Sequence, residues 1–471
     1  MDMCGSTLSG GHARGIGGFR PSGLMATLLM AAFLALFCAA APAAFAVDGS
    51  ESGASGSAGS TAVSAESSAQ TSADTPADVA EDITSQAGIV EDSVSQTGTA
   101  DGLTPQIDTV DGIIPQATFG DGTCGGCDWV IDSTGTLKIS KTAGGTGVLD
   151  NINTYSSPAP WNSYYSKIVK VVVGAGVKAG ADAALFMGCS YATDINISAL
   201  DISAVKNASG MFQGCSSLAS IEFPGQSKAH LTESSAMFWR CSSLKSLDLA
   251  AFDTSDVASF NAMFSGCSSL KSLDLTDLDT SSATNMAGMF SSCSSLNSID
   301  LSKFNTSKVA YMSNMFSYCT SLASLDLSKL DTSSAASMYG MFWSCTGLTS
   351  LDISGFTFKN DVDLGSMFNG CSKLETVTFP KTAGDSQIKS MSSMFNGCSS
   401  LKSLDLSRLD TSSAKYMYRM FYGCNSLTDL KLGGAFSTAG ASGMTEMFYE
   451  CASLTALDLS TFDTSSVTEP S

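Results

Sequence analysis

The chain has 471 residues, more than one ordinary compact core holds, so its organisation is either several domains or one elongated array. Hydrophobic residues make up 44% of it, charged residues only 14%, and 44 residues are glycine, which describes a real interior under a Ser/Thr/Gly-decorated surface. The 24 Lys and Arg against 44 Asp and Glu leave a net charge of -20, a balance that repels phosphate backbones and argues against nucleic acid as a partner. Only two histidines are present, His12 and His230, too few for histidine-based catalysis or metal ligation.

Residues 1–46 have the layout of a signal peptide. Arg14 and Arg20 precede an apolar run from Leu24 to Ala41, and Ala44-Phe45-Ala46 supplies the small-residue cleavage pattern. Cys38 does not make a lipoprotein signal, because Leu36-Phe37 places a bulky ring where Gly or Ala is required. No other stretch approaches the ~20 apolar residues needed to cross a bilayer, so stable membrane insertion is not expected. Residues 47–118 contain no aromatic residue, no Lys or Arg, and twelve carboxylates. Such a segment cannot bury enough apolar area to offset its conformational entropy and is expected to be a disordered acidic stalk.

Residues 119–180 carry β-type patterns, including Cys124-Gly125-Gly126-Cys127-Asp128-Trp129 and Ile168-Val169-Lys170-Val171-Val172-Val173, and are expected to form a small β-rich cap. Cys124 and Cys127 either form a disulfide or pack as thiols; two thiols without further ligands make a poor zinc site.

From Cys189 onward eleven cysteines recur at Cys215, Cys241, Cys267, Cys293, Cys319, Cys345, Cys371, Cys398, Cys424 and Cys451, at intervals of 26 residues with two of 27. This period lies inside the range of roughly 20 to 29 residues for leucine-rich repeats. After each cysteine comes L-x-x-L-x-L, as at Leu244, Leu247 and Leu249, whose alternation predicts a short strand with leucines inward and Asp248 outward. D-T-S then supplies turn and helix-start chemistry. The spacing of Val309, Met312, Met315 and Phe316 predicts a short helix facing the core. The fold class expected is an α/β leucine-rich-repeat solenoid over residues 181–471, about eleven coils with a parallel sheet, stabilised by each coil covering its neighbour. The last coil stops at Val467-Thr468-Glu469-Pro470-Ser471 without a capping unit, which predicts a truncated or unusual end. The repeated cysteines are expected to form a buried thiol ladder, since side chains stacked in parallel point alike and not toward one another.

The repeated string M-F-x-G-C-S-S-L-x-S-L-D-L, as in Met263 to Leu275 and Met394 to Leu406, resembles the leucine-rich repeats of bacterial BspA-like surface proteins. The preceding β-rich segment is similar to the module that opens those repeats. The resemblance implies a secreted or wall-displayed protein engaging extracellular macromolecules: host matrix proteins, cell-surface receptors, glycans or other microbes. No L-P-x-T-G wall-sorting signal is present, so the route of attachment is open.

Two columns are candidates for the binding surface. The outward strand position holds Glu222, Asp248, Asp274, Asp300, Asp326, Asp352, Asp405 and Asp458, interrupted by Asn196, Thr378 and Lys431. This file reads either as a solvated protective face or as a cation ladder or acidic docking strip. Trp239, Tyr318, Trp343, Tyr422 and Tyr449, close before the cysteines, are irregular from coil to coil, and irregular positions are where specificity can reside. A second file, Asp201, Asp253, Asp279, Asp331, Asp410 and Asp463, is explained by local capping. A glycosidase would need one carboxylate pair made unlike the rest by its surroundings. No coil breaks pattern in that way, so neither catalysis nor a cofactor is expected. His230, in the irregular coil between Cys215 and Cys241, reads as a surface loop residue. The competing reading of the whole is a passive envelope rod without a dedicated ligand, with a carbohydrate-active enzyme as the remote alternative.

Overall fold

A chain whose apolar residues repeat every 26 positions can bury them only by stacking one repeat on the next. The computed structural model describes residues 118–154, 156–359, 361–380 and 388–468; the signal peptide and almost all of the stalk expected from the sequence lie outside them. Strand β1 (Thr118–Cys124) turns through Gly125 and Gly126 into β2 (Cys127–Asp132), which pairs antiparallel with β3 (Thr136–Lys141). Glycine is required at this turn. Gly125 has φ +56°, and an added Cβ there would sit 2.4 Å from the Val148 carbonyl oxygen.

The third strand converts the meander into a solenoid. β4 (Lys170–Val173) pairs parallel with β3, followed in parallel by β5 (Asp194–Asn196) and β6 (Ile221–Glu222), giving one six-stranded sheet in chain order. The first coil's apolar flank is therefore covered by the cap. Trp161, buried, donates from Nε1 to the Leu185 carbonyl at 2.8 Å and meets Trp129 edge-on at 6.2 Å, fastening cap to coil.

The leucines face inward as expected: Leu249, Leu275, Leu301, Leu327 and Leu406 are all buried. The strand ladder at L-x-L is nevertheless discontinuous. Ser350–Asp352 pairs with Thr376–Thr378, and Ser403–Asp405 with Asp429–Lys431. These pairings, like that of Asn196 with Glu222, occur where the stacked outward residues are not both aspartate. Between Asp248 and Asp352, where aspartate stacks on aspartate, no strand ladder forms at this position. Like charges placed directly opposite weaken pairing.

The expected helix is not formed. Val309, Met312, Met315 and Phe316 are fully buried as the spacing required, but their backbone is a run of tight turns. Alternate amides divide the work. Asn314, Phe316 and Tyr318 donate to the carbonyls of Tyr339, Met341 and Trp343 in the next coil at 2.8, 2.9 and 2.6 Å, while Met315, Ser317 and Cys319 close turns onto Met312, Asn314 and Phe316. Beyond its first turn an α-helix would take each amide for its own i−4 carbonyl and leave none there for the neighbouring coil. Two residues per coil, such as Asn314 (φ 56°) and Tyr318 (φ 58°), turn left-handed to permit this.

Inside, phenylalanines from successive coils form a continuous stack from Phe186 to Phe448 with ring centroids 5.4 to 5.8 Å apart. Offset stacking of this kind adds to the energy of burial.

Candidate binding surface

Each aspartate of the strand file is fixed by its own backbone. Oδ1 of Asp248, Asp274, Asp300, Asp326, Asp352, Asp405 and Asp458 accepts the amide two residues on, at 2.8 to 3.0 Å. Glu222 instead accepts the Asn196 side-chain amide at 2.7 Å. Backbone donation from Thr276, Ser302 and Ser328 holds Asp274, Asp300 and Asp326 below the usual carboxylate range, even though Asp326 pushes Asp300 the other way. The Ser407 and Ser460 hydroxyls do the same for Asp405 and Asp458. The file is a row of oriented, exposed carboxylates. Among the described residues no three His, Cys, Asp or Glu side chains converge as a metal-ligand set.

The second file also makes local turns, with Asp201, Asp253, Asp279, Asp331, Asp410 and Asp463 accepting the amide of the serine two residues on. No helix follows these turns. The threonine of D-T-S, a string that becomes N-T-S at Thr306 and S-T-A at Thr438, carries a role that its sequence context did not reveal. Thr306 is buried; its hydroxyl donates to the Asp331 carbonyl at 2.9 Å and accepts the Asp331 amide at 2.8 Å, joining one coil to the next. Thr254, Thr280, Thr332, Thr411 and Thr438 repeat this double bond. The signal was a hydroxyl repeated at the coil period, in most coils just after an Asp or Asn that already explained the turn.

The aromatic candidates lie on the Met-Phe turns, a different segment of each coil from the carboxylates. Trp343 packs against Tyr318 at 5.6 Å, Tyr422 stacks on Tyr449 at 5.0 Å, and the Arg240 guanidinium lies 4.4 Å from the Trp239 ring. Tyr449 is exposed and the other four are half-buried. They form separate patches and not one continuous strip. Arg419 extends the Tyr422 patch, lying 5.7 Å over that ring while its Nε pairs with Glu446.

The thiols of the described residues are not paired as disulfides, and all are buried except half-buried Cys451. From Cys215 to Cys451, each Sγ–H donates to a phenylalanine carbonyl of the preceding coil at 3.0 to 3.2 Å. Burial pushes Cys241, Cys293 and Cys345 up to about 12, far from the thiolate that reacts. His230 is not a free loop residue. It sits in the two-residue strand Ala229–His230, with Nδ1 2.7 Å from Asp253 and Nε2 2.9 Å from Asp256, both in the next coil. Those carboxylates raise its pKa, Asp253 foremost, and Asp253 in turn is lowered to about 2, chiefly by His230.

A cavity of about 470 Å³ opens on the outward strand face where Thr378 and Lys431 break the carboxylate file. Val377 and Leu404 form its floor, and Thr376, Ser403, Asp405 and Arg408 contribute to its polar lining. The interruptions were visible in the sequence; that they make a cavity was not.

The coil architecture defines a parallel β-solenoid of the leucine-rich-repeat class, with turns where many such repeats place helix. A family profile described as "Mycoplasma protein of unknown function, DUF285" matches residues 183–297, 232–350, 271–379 and 362–471, and the chain belongs to that family. Among solved structures, it is similar to a leucine-rich repeat protein from Eubacterium ventriosum (18% identity, 74% of this chain and 92% of that one, TM-score 0.42). It is also similar to a leucine-rich cell surface protein from Faecalibacterium prausnitzii (18% identity, 71% and 93%, TM-score 0.35). A leucine-rich repeat protein of T. pallidum shows 16% identity over 60% of this chain and 91% of that one, with a TM-score of 0.17. No curated protein matches the chain. No helix among the described residues is long and apolar enough to cross a membrane.

Proposed function

We propose that the chain is an exported bacterial surface or secreted repeat protein whose solenoid binds an extracellular macromolecule across many coils. The observation that carries this reading is the row of carboxylates, each oriented by a backbone amide and presented once per coil. A rigid, regularly spaced charge row matches an extended basic partner better than a compact one, and favours encounter by electrostatic steering. The aromatic pairs Tyr318–Trp343 and Tyr422–Tyr449 supply the kind of anchor that gives such contacts energy. The resemblance to BspA-like repeats and the signal-like residues 1–46 support export. Host matrix proteins, cell-surface receptors and other microbes are the partners that resemblance implies. The carboxylates of the file share one turn environment, which supports a non-enzymatic role.

One observation favours the passive rod. Every aspartate in the file already satisfies a local amide, so its presence needs no ligand. Solid-phase binding of the full chain to matrix proteins, glycans and bacterial cells, with salt and chelator titrations, separates the readings. Saturable binding that weakens with salt and is reduced in Asp274→Asn/Asp300→Asn/Asp326→Asn supports the binding module. The absence of any saturable partner establishes the rod, and turnover of a glycan overturns both.

A further inference from the structure

We infer that the cavity between the coils of Thr378, Asp405 and Lys431 is a subsite for a single carboxylate-bearing sugar at the end of an otherwise neutral glycan; this deepens the binding role proposed above and rests on it. The argument begins with the break in the file. Asp352 is paired across the ladder with Thr378, and Asp405 with Lys431, so a hydroxyl and an ammonium flank Asp405 where the row elsewhere places carboxylates. Arg408 brings a second cation to the same cavity.

Both cations face carboxylates of the cavity lining, Asp405, whose ionised form they favour, and Asp429, yet neither is locked in a close ion pair within the described chain. Arg408 forms no ion pair there, and Lys431 lies 3.9 Å from Asp429, both ends of that contact being exposed. Asp405, which both cations influence, has its Oδ1 taken by the Ser407 amide and hydroxyl at 3.0 and 2.6 Å. A planar guanidinium beside an ammonium is the donor set for an incoming carboxylate.

The remainder of the lining selects the body that carries the carboxylate. The hydroxyls of Thr376, Thr378 and Ser403 are exposed and have no hydrogen-bond partner among the described residues, so they are available to a ring rich in hydroxyl groups. Val377 and Leu404 give the apolar floor against which the C–H face of a sugar rests. Its volume suits one small ring or two, within the usual range for small-molecule sites. Charge limits the ligand further. The carboxylate row continues at Asp352 on one side and Asp458 on the other, and the whole chain carries -20, so a polyanion would be repelled along its length while one terminal carboxylate is not.

The test titrates the full chain, by calorimetry at low and physiological salt, with the methyl glycosides of N-acetylneuraminic acid and of glucuronic acid. Methyl glucoside and a tetraglutamate peptide serve as the neutral and the non-sugar arms. Binding of a carboxylated sugar, with neither control binding comparably, is expected. Arg408→Gln and Lys431→Gln each weaken it by about tenfold or more, the scale of a lost charge-assisted hydrogen bond. Asp300→Asn, in the uninterrupted row, leaves it unchanged. Circular dichroism and melting confirm that each variant is folded. Equal binding of the neutral sugar, stronger binding of the peptide, unchanged affinity in both cation variants, or no binding of either acidic sugar overturns the inference. Macromolecular binding that persists after such a failure leaves the broader role standing; sugar binding without any macromolecular partner does the reverse.

Discussion

Replacing Thr306 by valine removes one hydroxyl and almost no volume, so it isolates what the buried threonine rung contributes. The hydroxyl makes two bonds to the backbone of Asp331, at 2.9 and 2.8 Å, and Thr306 itself is 1% exposed. Each such bond is worth about 1 kcal/mol net, and the Asp331 side of the contact is open enough to regain water, so the loss is about 2 kcal/mol and not the larger penalty of a sealed orphan. The isosteric methyl leaves no cavity to add to this. Because coils contact only their neighbours, the damage is local to the 306–331 junction and lowers the cooperativity of the array around it. Urea unfolding of the full chain, followed by circular dichroism, reads the shift, and hydrogen exchange at the Asp331 amide reports the junction directly. Thr306→Ser keeps the hydroxyl and should recover most of the stability. A valine variant within ~0.5 kcal/mol of the parent, or a serine variant as damaged as the valine, would refute the rung.

The left-handed positions predict opposite signs for two substitutions: Ser292→Gly (φ 59°) should stabilise by about 0.5–1 kcal/mol, while Gly397→Ala (φ 70°), where the added Cβ meets nothing closer than 3.7 Å, should cost about 1 kcal/mol from conformation alone, both read by urea midpoint. Among the repeat thiols, half-buried Cys451 should react with a thiol-specific chromogenic disulfide well before Cys241, Cys293 or Cys345, whose thiols are pushed up to about 12; equal rates in the native state would contradict the burial. His230 is raised above its ordinary value by Asp253 and Asp256, so its contribution is full below about 6.5 and fades as pH climbs through the raised native value. His230→Gln should therefore cost stability at pH 5.5 and little at pH 9, and a pH-independent loss would remove the charge from the account. For the carboxylate row the shift is downward, so its contribution is present above about 3.8 and lost as pH falls through the lower native values. Unfolding midpoints should fall between pH 4.5 and 2.5; a rise would mean that repulsion between stacked aspartates dominates.

The period of the cysteines and the inward alternation of Leu247-Asp248-Leu249 were enough to read the solenoid, because burial at a fixed spacing leaves few architectures. The path of the backbone was less legible. Val309, Met312, Met315 and Phe316 satisfy helical spacing, and a run of left-handed turns buries the same side chains. What distinguishes the two is the fate of alternate amides, which depends on a neighbouring coil 26 residues away and not on the local string. A local clue existed in the glycines before Cys215, Cys267, Cys371, Cys398 and Cys424, residues that weaken a helix interior and permit φ near 70 to 80°. Thr306 and its equivalents were hidden by sufficiency: the Asn or Asp that precedes most of them already accounts for the turn, so the local string carries no sign of a bond to the next coil.

The carboxylate row shows the same economy at the surface. Stacked aspartates should be a liability, and the missing strand ladder between Asp248 and Asp352 agrees that it is one for the sheet. Yet Asp274, Asp300 and Asp326 are each stabilised in their ionised form by the amide two residues on, and at Asp300 that amide outweighs the like charge of Asp326 one coil away. Ladder bonds are thus weakened at the outward strand position while each aspartate stays aimed by its local amide. The coils can tolerate that loss because the Met-Phe turns, the threonine hydroxyls and the thiols all bond across the same junctions. The ladder returns at Asp352–Thr378 and Asp405–Lys431, though not at Thr378–Asp405 or Lys431–Asp458, and a cavity opens beside it. The sequence variation that repairs the sheet is therefore also the variation that makes one stretch of an otherwise uniform face chemically distinct, which is the property a specific site requires.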